Sequence, residues 1–107
     1  VKFVKGYLMK LYRPLPEYLT IKDSNIDGLG LFALKDISKD TTIGVTHHFL
    51  WEGVARTPLG GFINHSNTPN CILDRIIAES HLRTTSNIKA GEEITLSYEM
   101  YSVDEES

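Results

Sequence analysis

Residues 60 to 71 constrain this chain more than any other stretch. They read Gly60, Gly61, Phe62, Ile63, Asn64, His65, Ser66, Asn67, Thr68, Pro69, Asn70, Cys71. The apolar pair Phe62 and Ile63 runs directly into five polar residues carrying two amides, an imidazole and two hydroxyls. Gly60 and Gly61 permit close backbone approach or positive φ, Phe62 and Ile63 read as an anchor into a core, and Pro69 pushes Thr68 toward an extended conformation. A rigidly held polar run must satisfy its amides and imidazole, through the protein itself or through a ligand. Both readings are open on these residues alone: an Asn/Ser/Pro turn whose side chains cap their own backbone, or a ligand site.

A chain of 107 residues fits one domain, here residues 1–107, near the small end of what supports its own core. Hydrophobic residues at 41% and charged residues at 23% argue against disorder. With a net charge of −3 and scattered Lys and Arg, the clustered basic stripe of a nucleic-acid binder is missing. Cys71 is the single cysteine, so neither an internal disulfide nor a cysteine-rich zinc site can be assembled, and a reducing, intracellular setting in cytoplasm or nucleus is the expectation. No apolar run approaches the ~20 residues of a membrane span. His47 and His48 are adjacent, so their side chains seldom converge on one ion, and no metal is implied.

Along the chain, Phe3 to Tyr12 shows mixed spacing, and Pro14 and Pro16 break regular structure. Tyr18 to Lys22 alternates as a strand, a turn follows at Asp23 to Asn25, and Leu31 to Leu34 reads as the strand leaving a glycine turn at Asp27 to Gly30. Ile37 pins a polar connection, and Thr42 to Thr46 is β-branched enough for another strand. The pattern from His47 to Leu59 is irregular, with a short helical turn over Glu52 to Arg56 that Pro58 would end. Cys71 to Ala78, His81 to Ser86 and Ile94 to Tyr98 read as further strands. Many short strands with Gly and Asn turns predict a mostly β domain with few short helices.

Three stretches in order resemble one family. Asn64, His65, Ser66, Asn67, Thr68, Pro69, Asn70 is similar to the Asn-His-Ser-x-x-Pro-Asn signature of SET-domain protein lysine methyltransferases. Gly28, Leu29, Gly30, Leu31, Phe32, Ala33 and Gly91, Glu92, Glu93, Ile94, Thr95, Leu96, Ser97, Tyr98 resemble its first and last motifs. The resemblance implies small curved β-sheets with the chain end threaded through a loop as a C-terminal pseudoknot, a β-clip-like fold. It also implies S-adenosylmethionine as cofactor, with Gly28, Leu29 and Gly30 offering main-chain groups to the amino-acid end, Asn64 holding the amino group, and the His65 backbone reading the adenine.

By the same resemblance Tyr98 is the catalytic residue, beside the transferred methyl, and the partner is a protein substrate presenting a lysine amine. Tyr101, Trp51 and Phe49 are candidates to line the lysine channel, whereas Phe62 is expected in the core. Gly61 stands where many members have Arg, Asn67 where many have Cys, and only nine residues follow Tyr98, leaving no counterpart of the zinc-binding segment that often follows the core. What closes the channel is then those residues, a second copy of the chain in a homodimer, or the substrate. The alternative function is a catalytically inactive binding module of the same fold.

Overall fold

The structure, a computed structural model, describes residues 15–97. The mixed apolar pattern of Phe3 to Tyr12 and the residues from Tyr98 onward lie outside that range. Strand β1 (Leu19–Asp23) pairs antiparallel with β2 (Leu29–Ala33). Ser24 closes the connection: its N–H donates to the Gly28 carbonyl at 2.8 Å, and its Oγ accepts from the Ile26 N–H at 2.9 Å. Gly28 sits at φ +43°, a left-handed conformation that glycine adopts without steric cost. Strand β2 begins inside the glycine turn, since Leu29 and Gly30 already pair with Asp23 and Lys22.

A four-stranded antiparallel sheet, in the order β4-β3-β7-β6, forms the body of the chain. It comprises β3 (Thr42–Leu50), β4 (Gly53–Arg56), β6 (Cys71–Ile76) and β7 (Glu79–Thr84). In β7, Ser80, Leu82 and Thr84 are buried while Glu79, His81 and Arg83 face outward, the two-residue period of a half-buried strand. The outer face carries the ion pairs of Arg83 with Asp74 at 2.7 Å and with Asp40 at 3.1 Å, and Glu79 sits between the imidazoles of His48 and His81. Such solvated pairs contribute little each.

The irregular stretch expected from His47 onward is instead ordered. Strand β3 runs on to Leu50, Gly53 at φ +146° turns the hairpin, and Gly53 to Arg56 returns as β4 against His47 to Leu50. Pro58 opens a helix rather than ending one: α1 (Pro58–Gly61) has Pro in its first turn and Thr57 as N-cap, the position where a proline's missing N–H costs nothing. The Thr57 hydroxyl donates to the Val45 carbonyl at 2.7 Å and accepts from the Gly60 N–H at 3.3 Å, so one side chain both caps the helix and fastens it to β3.

This seat leaves no room at Gly60, where a Cβ would lie 2.5 Å from the Thr46 carbonyl oxygen and 3.0 Å from the Thr46 Cβ. In an open helix Gly→Ala gains about 1 kcal/mol. Here the obstacle is backbone, which cannot swing aside. Gly60→Ala is therefore expected to destabilise by roughly 1 to 3 kcal/mol, lowering Tm by about 5 to 15 °C; a thermal melt with Tm unchanged or raised would show that helix and strand can part freely.

The short strands β5 (Asn64–His65) and β8 (Thr95–Leu96) pair in parallel. Just before β8 the chain also runs along β2, with the Ala33 N–H donating to the Glu92 carbonyl at 2.9 Å and the Ile94 N–H to the Leu31 carbonyl at 2.7 Å. Residues 91 to 96 thus tie the first hairpin to the Asn64 segment. Leu19, Leu31, Ile63, Leu82, Ile94 and Leu96 belong to the core beneath this junction. Cys71 shares that core at 1% exposure, and burial pushes its thiol up to about 12, the state of an inert structural cysteine.

Candidate functional site

The polar run after Ile63 is held by the last described strand. Beyond the β5·β8 pairing, the Ser66 N–H donates to the Leu96 carbonyl at 2.8 Å. Asn70 completes the attachment: its Nδ2 donates to the Glu93 carbonyl at 2.8 Å and its Oδ1 accepts from the Thr95 N–H at 2.9 Å. Part of the polar density noted in the sequence is therefore structural. Inside the run, the Thr68 N–H donates to Ser66 Oγ at 3.0 Å, and His65 Nε2 lies 3.1 Å from Asn67 Oδ1.

Asn64 turns the other way, toward the glycine turn. Its Nδ2 donates to the carbonyls of Asp27 at 3.0 Å and Leu29 at 3.2 Å, and to the Glu93 carboxylate at 2.8 Å. Three acceptors around one nitrogen fix the orientation of the amide, which leaves Oδ1 available to accept. Glu93 also accepts from the Ser24 hydroxyl, at 2.8 and 2.9 Å to its two oxygens. One carboxylate thus latches the β1–β2 turn to Asn64.

The same latch explains Gly30, where a Cβ would collide with the Glu93 carboxylate and stand 3.0 Å from the Ser24 Cβ. Gly30 is buried, and its bareness makes space for a side chain of the protein. Gly28 differs, having nothing within 4 Å of an added Cβ. Glu93 is the site residue that sequence reasoning passes over. The available signal is an acid directly before the buried run that begins at Ile94, but its partner Ser24 lies 69 residues away.

Beside the latch opens a cleft of ≈ 430 Å³ lined by the glycine turn, His47 in the middle of β3, the end of β4, and α1 with the residues that follow it. That size falls in the range of small-molecule sites. Gly28, Leu29 and Asn64 line it, whereas Gly30 and His65 do not. Phe62, expected in the core, is only partly buried and lines the cleft, because α1 ends there and sends Ile63 inward instead. The two channel aromatics within the described range stand elsewhere. Phe49 is partly buried beneath Arg75, whose guanidinium carbon lies 3.5 Å from the ring centroid, and Trp51 is fully exposed at the β3–β4 turn. Tyr98 and Tyr101 lie outside the described residues.

Among the described residues three titratable groups line the cleft: Asp27 on the glycine turn, Arg56 at the end of β4, and His47 opposite Arg56 on β3. His47 is buried, and Nδ1 lies 2.8 Å from the Thr46 hydroxyl. Burial, reinforced by the nearby Arg56 cation, holds its imidazole below the usual histidine range, so near neutral pH it is an uncharged wall. Among the described residues no group of three or more His, Cys, Asp or Glu is arranged to hold a metal ion, and no helix is long and apolar enough to cross a membrane.

The family model of the SET domain matches residues 44–99, more than half of the chain. The chain belongs to the SET domain family. No curated protein sequence matches this SET domain significantly, but solved structures do match its fold. A Plasmodium falciparum chain described as a histone methyltransferase superposes with TM-score 0.62 at 23% identity, covering 78% of this SET domain and 95% of that chain. A chain of Chaetomium thermophilum Polycomb Repressive Complex 2 gives TM-score 0.63 at 20% identity over 75% of this SET domain, which spans only 14% of that chain. The methyltransferase domain of human PR domain-containing protein 2 gives 0.61 at 19% identity, with 76% of each chain covered. Identities this low establish the mostly β SET fold and nothing finer. The glycine turn precedes the residues matched by the family model.

Proposed function

We infer that this SET domain transfers a methyl group from S-adenosylmethionine to the side-chain amine of a lysine in a protein substrate. The observation that carries this reading is the cleft wall on which the main chain of Gly28 and Leu29 meets the amide of Asn64, with the amide oriented so that Oδ1 can accept. An ammonium needs acceptors, and this wall supplies a side-chain oxygen beside turn backbone that no bulky side chain covers at Gly28. The groups present therefore fit the amino-acid end of the cofactor. The descriptions of the structural neighbours as methyltransferases support the same reaction class.

When bound, the cofactor would supply an electrophilic methyl group on a sulfonium. What the protein must add is alignment of the attacking nitrogen with that carbon and exclusion of water, which together can contribute about 7 to 11 kcal/mol. A lysine amine in water titrates at about 10.4, so surroundings that disfavour the ammonium would release the lone pair that attacks. The Glu93 latch serves alignment by fixing both halves of the wall. In the sequence Tyr98 follows two residues after the end of β8, the strand that pairs with Asn64 and His65.

Calorimetric titration with the cofactor, followed by incubation with methyl-labelled cofactor and cell extract, tests the reading. Saturable binding with label recovered on lysine is the expected result. Binding without transfer, or no binding at all, would favour an inactive module of the same fold.

A further inference from the structure

The described arginines have three different fates. Arg83 is bound by Asp74 and Asp40, and Arg75 is spread over the Phe49 ring. Arg56 has no carboxylate partner among the described residues, and it lines the cleft. The register of the hairpin places it opposite His47, so both side chains project from the same face of the sheet. Its stem runs over α1: the nearest heavy atom to a Cβ built on Gly61 is Arg56 Cδ, at 4.0 Å. The bare Gly61 thus lies beside the Arg56 stem.

The charge pattern of the cleft is dipolar. Asp27 stands on the glycine turn and Arg56 on β4, opposite the uncharged His47. Such a cleft suits a ligand carrying an ammonium and a carboxylate at one end. If Asn64 Oδ1 and the glycine turn take the ammonium, the carboxylate beside it still needs a donor, because an unpaired carboxylate is costly to desolvate. Among the described residues Arg56 is the only Lys or Arg that lines the cleft, and a guanidinium pairs with a carboxylate through two parallel hydrogen bonds.

Resting on the methyltransferase reading above, we propose that Arg56 binds the carboxylate of the cofactor's amino-acid end and so makes the cleft select nucleoside sulfides that keep that end. The selection is located on a short edge strand, outside the polar run and the glycine turn. Its strength follows from a charge-assisted pair.

Calorimetry on the full chain with two probes tests this. S-adenosylhomocysteine keeps the amino-acid end, and methylthioadenosine lacks it. The unmodified chain is expected to prefer S-adenosylhomocysteine. Arg56→Ala is expected to weaken that ligand by about 10- to 100-fold while leaving methylthioadenosine affinity and Tm unchanged, with Arg56→Lys intermediate. If Arg56→Ala keeps the original preference, Arg56 is a solvated edge-strand charge and the proposal falls. Equal loss for both probes would also overturn it, since the residue would then shape the cleft without reading the carboxylate. Should the unmodified chain bind neither probe, the methyltransferase reading itself fails, a result distinct from either of those.

Discussion

Glu93→Ala is expected to lower stability by roughly 1.5 to 3 kcal/mol, or about 7 to 15 °C in Tm, and to weaken cofactor binding in the same variant. The carboxylate receives the Ser24 hydroxyl at 2.8 Å and the Asn64 amide at 2.8 Å. Its removal deprives a partly buried hydroxyl and amide of an acceptor and unfastens the β1–β2 turn from β5. Hydrogen bonds to a charged acceptor are the stronger kind, and the two donors come from segments far apart in the chain, so nothing local replaces them. Gly30 supplies an internal control. Gly30→Ala alone must push the Glu93 carboxylate off its seat, but in a Glu93→Ala background the same substitution is left with only the Ser24 Cβ, at 3.0 Å, to displace. A double-mutant cycle by thermal melts should therefore give a coupling of about 0.5 to 3 kcal/mol, as for residues in direct contact. If Glu93→Ala melts with the unmodified chain, or Gly30→Ala costs the same in both backgrounds, the latch does not hold the site together.

That latch also marks where sequence reading runs out. The strand around Tyr18 to Lys22, the glycine turn after it and the pinning role of Ile37 are legible, because each rests on local alternation or turn chemistry; Ile37 is buried and bridged to Ile88. The segment from His47 to Leu59 misleads for a local reason too. Pro58 reads as a stop, yet Thr57-Pro58 is an N-cap followed by a first-turn proline, and Trp51-Glu52-Gly53 is a hairpin turn with glycine at positive φ. Side-chain chemistry is the less reliable guide to place. Aromatic character nominates Phe62 for the core, but the end of α1 decides its place: Phe62 caps the helix at the cleft and Ile63 turns inward. Glu93 acts through partners across strand boundaries, from 69 residues beyond Ser24. Spacing along one strand or helix cannot report such contacts.

Tyr98→Phe is expected to reduce methyl transfer by at least about 10²-fold, the scale of removing one preorganised group that stabilises a transition state, while cofactor affinity stays within about twofold. The residue follows Ser97, where β8 leaves its parallel pairing with Asn64 and His65, and it closes the last of the three motifs that resemble the family signature. The substitution deletes one oxygen and keeps the ring, so packing is nearly conserved and loss of rate reports on that oxygen. In an in-line displacement the methyl carries positive charge between the departing sulfur and the attacking nitrogen. A phenol oxygen beside it accepts polarised C–H groups, an interaction that strengthens toward the transition state and so appears in the rate far more than in ground-state affinity. Single-turnover transfer measured beside calorimetric affinity separates the two. A variant that transfers at full rate would remove Tyr98 from the chemistry, and one that loses affinity in proportion to rate would make it a binding residue instead.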